Sequence, residues 1–135
     1  MENMHVSVVV PAFNEAEALP ELLERIDRTL RECSGAYEIV IIDDGSTDQT
    51  PEILRRLSTQ YPQMSAIRFR RNYGKAAALS EGFARARGDF LISLDADLQD
   101  APEEIPRFLD QLAAGADVVS GWKQDRQDGW TRIIS

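Results

Sequence analysis

Residues 37–51 read YEIVIIDDGSTDQTP. The run Tyr37 to Ile42, apolar except for Glu38, reads as a buried strand. Asp43 to Asp48 is turn chemistry, and Pro51 sits in the first turn of a helix carrying Ile53, Leu54 and Leu57. The same succession recurs on both sides. Upstream, Val6 to Val10 is a strand stopped by Pro11, and Leu19, Leu22, Leu23, Ile26 and Leu30 then recur at helical spacing before Gly35 closes the helix. Downstream, Met64 to Phe69 is a third strand, followed by an alanine-rich helix ending near Arg87-Gly88. Phe90 to Leu94 is a fourth strand, Pro102 opens a helix with Ile105, Phe108, Leu109 and Leu112, and Ala116 to Ser120 is a fifth strand. Apolar strands alternating with amphipathic helices predict an α/β fold, a mainly parallel, Rossmann-like sheet with helices on both faces.

The chain has 135 residues, 15 basic and 23 acidic, for a net charge of −8, and 43% of it is hydrophobic. That is one domain, 1–135, with enough apolar material to fold without staples. The single cysteine, Cys33, has no partner within the chain, which fits a reducing compartment; it reads as a packing residue at a helix end. An acidic domain repels phosphodiester backbones, so nucleic acid is not an expected partner. No stretch approaches the roughly 18 apolar residues of a membrane span. The first residues, MENMHVSVVVP, carry acidic Glu2 where a secretory signal carries positive charge. The expectation is a cytosolic protein, or the cytosol-facing part of one.

Ligands of such sheets bind beyond the carboxyl ends of the strands, where strand order reverses. The polar clusters lie at those ends: PAFNE (11–15), DDGSTD (43–48), RRNYGK (70–75) and DADLQD (95–100). Asp95 and Asp97, one residue apart, face the same way in extended geometry, and Gln99 continues the alternation. Oxygen donors without nearby histidine or cysteine suit Mg²⁺ or Mn²⁺. The plainer alternative is an acidic turn, with Asp100 beside it, that solubilises the loop and caps the Pro102 helix. Arg70, Arg71 and Lys75 bunch beside a glycine and a helix start, which suits an anion, or else a solvated charged face. Asp43 and Asp44 read as turn formers whose side chains bond nearby backbone amides, Asp44 is also placed to accept hydrogen bonds from a ribose or base, and Asp48 reads as a helix cap. Neither G-x-G-x-x-G nor G-x-x-x-x-G-K-[ST] is present, which disfavours dehydrogenases and P-loop NTPases. His5, the only histidine, lies at the start of the first strand, the wrong edge for a catalytic base.

VVVPAFNE (8–15), EIVIIDDGSTDQT (38–50), RNYGKAAAL (71–79) and GDFLISLDADLQDAPEEIP (88–106) together resemble glycosyltransferase family 2, inverting nucleotide-sugar transferases of GT-A fold. Within it the likeness is to the polyprenyl-phosphate, dolichol-phosphate type, sugar transferases. The resemblance implies that Pro11, Phe13 and Glu15 line the nucleobase and ribose pocket, that Asp44, with Asp43, contacts the base or ribose, and that Lys75 lies near the nucleotide. It implies that Asp95, Ala96 and Asp97 form the D-x-D element, with Asp97, Gln99 and Asp95 holding Mg²⁺ or Mn²⁺ against the diphosphate. The segment 120–128 resembles the stretch that meets the acceptor phosphate, with Lys123 and Arg126, and also Arg132, as its cations. Asp95, Asp97, Lys123 and Arg126 are therefore the expected catalytic residues.

Relatives of this type continue past Ser135 with acceptor-binding and membrane-anchoring segments, so the domain is expected to be C-terminally short. The partners implied are a nucleotide-diphosphate sugar, either a UDP-sugar or GDP-mannose, and a polyprenyl-phosphate or glycan acceptor, met by peripheral contact at the cytosolic face of the membrane. Two rival functions stand beside this one. A nucleotidyltransferase also pairs carboxylates with Mg²⁺ but brings a glycine-rich basic loop after its first strand, which Pro11 to Glu15 lacks. A non-catalytic nucleotide-sugar-binding remnant is the other.

Overall fold

The structure, a computed structural model, describes residues 5–33, 35–99, 101–113, 120–121 and 130–134. Its strands are β1 (His5–Ala12), β2 (Ala36–Asp43), β3 (Met64–Arg68), β4 (Phe90–Ser93), β5 (Ser120–Gly121) and β6 (Trp130–Ile134). Its helices are α1 (Leu19–Cys33), α2 (Thr50–Gln60), α3 (Lys75–Arg85) and α4 (Ile105–Ala113), the last entered through a 3₁₀ turn at Pro102–Glu104. The six strands lie in the order β3-β2-β1-β4-β6-β5. The first four are mutually parallel, with β1 between β2 and β4.

The period of 2 along each strand divides the core between the two faces. Val6, Val8, Val10, Ile39, Ile41 and Ile92 pack with the apolar stripes of α1, α2 and α4. Val9, Val40 and Ile42 pack on the other face, against Ala78, Leu79 and Phe83 of α3. Both faces of β1 and β2 are thus covered, which is why their sequences run apolar without alternation.

Two expectations change. Pro11 does not stop β1, which runs on to Ala12 with Pro11 opposite Ile42. Odd-numbered residues of β1 bond toward β4, as the Asp89 and Leu94 amides do to the carbonyls of His5 and Val9. β4 ends opposite Val9, so the missing N–H of Pro11 forfeits no ladder bond. The second change is at the C-terminal side. The expected fifth strand is described only at Ser120–Gly121, residues 116–119 lying outside the described part, and it does not pair with a parallel neighbour. Between it and β4 lies β6, antiparallel to both, in a segment to which the sequence reading assigned no strand. That reading relied on apolar runs, and WTRII is too short and mixed to register as one.

Candidate active site

Strand order reverses between β1 and β4, and the loops leaving these two strands border one cavity. The loop after β1 is sewn to the loop after β2. Asn14 stands at φ 55°, a left-handed conformation that asparagine tolerates. Its amide donates to Ser46 Oγ (2.8 Å), and its Oδ1 accepts the amides of Thr47 (2.8 Å) and Asp48 (3.2 Å). The Glu15 amide donates to Thr50 Oγ1 (3.0 Å). Asp48 accepts the Thr50 amide at 2.8 Å and the Ala16 amide at 3.4 Å, but it stands one residue ahead of the expected capping position, since the N-cap of α2 is Gln49.

The two aspartates ending β2 take different directions. Asp43, 1% exposed, closes its own turn by accepting the Ser46 amide at 3.0 Å, and its Oδ2 has no partner among the described residues. Asp44, also buried, accepts the Tyr73 amide at 2.7 Å through Oδ1 and the Gly74 amide at 3.0 Å through Oδ2. Asn72 Nδ2 donates to the Asp44 carbonyl at 3.2 Å. One carboxylate therefore fixes the backbone of the third rim loop just ahead of Lys75, the first residue of α3. Gly74 is at φ 104°, which fits glycine alone without strain.

The loop after β4 is a turn, so Asp95 and Asp97 are not related by extended geometry as their spacing suggested. They share the cavity all the same. Asp97 Oδ1 accepts the Gln99 amide at 3.1 Å, and Leu98, at φ 65°, is held there by packing against the core. Lys75 Nζ lies 2.7 Å from Asp95 Oδ1.

The cavity has a volume of about 320 Å³, at the lower end of small-molecule sites. Pro11, Phe13, Glu15, Asp44, Lys75, Asp95, Ala96 and Asp97 all line it, joined by Ala12, Asn72 and Gly74. Glu15 is raised from its ordinary carboxylate value, first by burial and then by repulsion from Asp97, Asp48 and Asp95. Glu15 thus feels the Asp95 and Asp97 carboxylates that line the cavity with it, and these donors are all oxygen, a set that fits a hard divalent cation. Among the described residues no group of three or more His, Cys, Asp or Glu side chains forms a metal cage. A cation here would rely on one or two carboxylates plus substrate phosphates, the habit of Mg²⁺.

Of the remaining predicted residues, Asp43 and Gln99 are not among those lining the cavity, and Gln99 is exposed. Arg70 and Arg71 are exposed beside it, the Arg71 guanidinium lying 4.8 Å from the centre of the Tyr73 ring. His5 is at the opposite end of β1, as expected. Lys123, Arg126 and Asp100 lie outside the described residues, and Arg132 falls within β6. Sequence reasoning gave no individual role to Asn14, Ser46, Thr50 and Asn72, which build the rim, and noted Gly74 only as the glycine beside the basic cluster.

A Rossmann-like sheet with an acid-lined cavity at its topological switch point defines an α/β protein whose candidate ligand site lies where such sheets bind ligands. The family model for glycosyl transferase family 2 matches residues 7–135, and the chain belongs to that family. It is 47% identical over 129 residues to an undecaprenyl-phosphate 4-deoxy-4-formamido-L-arabinose transferase of Edwardsiella ictaluri, covering 94% of this chain and 39% of that protein. The same-named protein of Pseudomonas aeruginosa is 46% identical, covering 94% and 38%. The chain thus spans about two fifths of the length of these relatives. Among solved structures, the mannosyltransferase PcManGT of Pyrobaculum calidifontis, in complex with GDP-Man and Mn²⁺, matches with a TM-score of 0.80 at 25% identity, covering 98% of this chain and 45% of that one. Glucosyl-3-phosphoglycerate synthase of Mycobacterium tuberculosis, in complex with Mn²⁺ and UDP, shares the fold at a TM-score of 0.72 and 22% identity, covering 88% and 44%. The α/β GT-A fold expected from the sequence is the fold observed. No helix among the described residues is long and apolar enough to cross a membrane.

Proposed function

We propose that this chain is the nucleotide-sugar-binding domain of an inverting, metal-dependent glycosyltransferase that moves a sugar from a UDP-sugar or GDP-mannose to a polyprenyl phosphate, the protein meeting its acceptor by peripheral contact at the cytosolic face of a membrane. The observation that carries the reading is the convergence of Glu15, Asp44, Lys75, Asp95 and Asp97 on one cavity at the switch point of the sheet. The names of the relatives support the lipid-phosphate acceptor, and the GDP-Man and Mn²⁺ bound to PcManGT support the donor class and the cation.

The placement of the cavity residues supports their roles. Pro11 and the half-exposed ring of Phe13 offer an apolar surface for a base, with Glu15 beside them for ribose hydroxyls. Lys75 and the α3 N-terminus face a diphosphate with an ammonium and the positive end of a helix. Asp95 and Asp97 would hold a divalent cation, which when bound supplies charge against the leaving nucleoside diphosphate. An oxygen of the acceptor phosphate forms the new bond to the anomeric carbon as the bond to the diphosphate oxygen breaks on the opposite side. That oxygen is already ionised, so no side chain need take its proton. Lys123 and Arg126 are proposed to hold the acceptor phosphate.

The test is a thermal-shift and calorimetric panel of UDP, GDP, CDP and dTDP, with and without Mn²⁺, on the wild-type chain and Asp97→Asn. One nucleotide should bind in a Mn²⁺-dependent way. The Asp97→Asn change should abolish that binding while the far-UV spectrum stays unchanged. Equal binding by the mutant would remove the metal assignment.

A further inference from the structure

Among the described residues lining the cavity there are four carboxylates, Glu15, Asp44, Asp95 and Asp97, and one ammonium, Lys75. Asp44 is committed to the Tyr73 and Gly74 amides. Lys75 is committed to Asp95, at 2.7 Å. The two partners of this pair are unequal in mobility. The Asp95 side chain is 16% exposed and follows buried Leu94 just past β4, whereas the Lys75 side chain is 49% exposed on a flexible four-carbon stem. Its backbone is fixed, because Asp44 holds the residue before it. The ammonium can therefore leave Asp95 without any element of the fold moving.

We infer that Lys75 is an exchangeable partner of Asp95, which opposes the binding of a divalent cation alone and supports the binding of that cation together with a nucleoside diphosphate. The inference rests on the function proposed above and deepens it. A cation approaching Asp95 by itself meets a like charge already 2.7 Å from that oxygen and has to compete with Lys75 for the carboxylate. A diphosphate changes the balance by giving Lys75 an anion of its own within the same cavity. The lysine thus makes cation and nucleotide binding interdependent, and the coupling is the same viewed from either ligand. Glu15 fits the same arrangement. It lines the same cavity as Asp95 and Asp97, a further acid beside the exchanging pair.

The experiment uses the 135-residue chain, with Mn²⁺ binding followed by electron paramagnetic resonance of the free ion. Nucleotide binding, with UDP and GDP as probes at fixed Mn²⁺, is followed by calorimetry. In Lys75→Met the two affinities should move in opposite directions. Mn²⁺ alone should bind more tightly, by about 5-fold, and the Mn²⁺-dependent nucleotide should bind more weakly by at least as much, a modest coupling for two linked sites. Lys75→Arg keeps the charge and should retain the wild-type pattern. In an Asp95→Asn background the lysine change should no longer alter Mn²⁺ affinity, since a pair that has lost one member has no coupling left to lose. Parallel losses of both affinities in Lys75→Met, or no change in either, would overturn the inference while leaving the proposed function standing. A wild-type chain that takes up neither Mn²⁺ nor nucleotide would overturn both.

Discussion

At Gly45 the backbone adopts φ 74°, and a Cβ placed there would lie 2.2 Å from the Arg71 carbonyl carbon and 2.4 Å from the Asn72 nitrogen. The turn after β2 and the loop after β3 touch backbone to backbone at this point. Gly45→Ala should destabilise the fold by at least about 2 kcal/mol, the left-handed backbone costing roughly 1–2 kcal/mol and the overpacking roughly 1–3. Urea denaturation measures this, and nucleotide affinity should fall with it because Asn72 and Gly74 line the cavity. A neutral substitution would mean that the two loops separate freely. The neighbouring aspartates show how much one position matters. Adjacent residues leaving a strand point to opposite sides, so Asp44 reaches the rim loop while Asp43 turns inward to the Ser46 amide. The sequence reading favoured Asp44 for the ligand and joined Asp43 to it only through the family resemblance, because identical side chains carry no mark of which side holds the cavity.

Between elements, the clearest polar link runs from α1 to the turn that opens α4. Arg25 donates to both oxygens of Glu103, at 2.9 and 2.6 Å, and Arg28 lies 3.8 Å from the same carboxylate. The Arg25 hydrogen bond is the main cause that holds the Glu103 carboxyl below its ordinary value of 4.5. A carboxyl depressed in the folded state is protonated more readily when unfolded. Its contribution is therefore present above about 4.5 and is lost as pH falls through the lower folded value. Glu103→Gln should reduce stability at pH 7 by less than about 1 kcal/mol, because the pair is open to solvent. The gap from wild type should close in acid, which thermal melts across pH 3 to 7 would follow, on the order of the ordinary carboxylate range. A gap independent of pH would assign the loss to packing instead. Helix positions were legible because their apolar residues recur locally, whereas an ion pair spanning 78 residues has no local signature.

Across the whole molecule, β1 and β2 lie inside the sheet with helices on both faces, while β3 is an edge strand with exposed residues. Hydrogen exchange should find the amides of β1 and β2 opening only with global unfolding and those of β3 opening earlier. Equal protection in all three would contradict that division. The same topology explains which features could be read in advance. The succession of strands and helices, and the polar clusters at four strand ends, are local patterns of hydrophobic period and turn chemistry, and the sequence by itself determined them. The class of fold and the rim on which ligands meet follow from those patterns. Tertiary structure alone decided that Asn14 sews two rim loops together, that Asp44 anchors a third, that Lys75 closes on Asp95, and that β6 enters the sheet beside β4. Each of these joins residues about 20 to 45 positions apart in the chain, so their meeting depends on strand order and packing rather than on any neighbour in sequence.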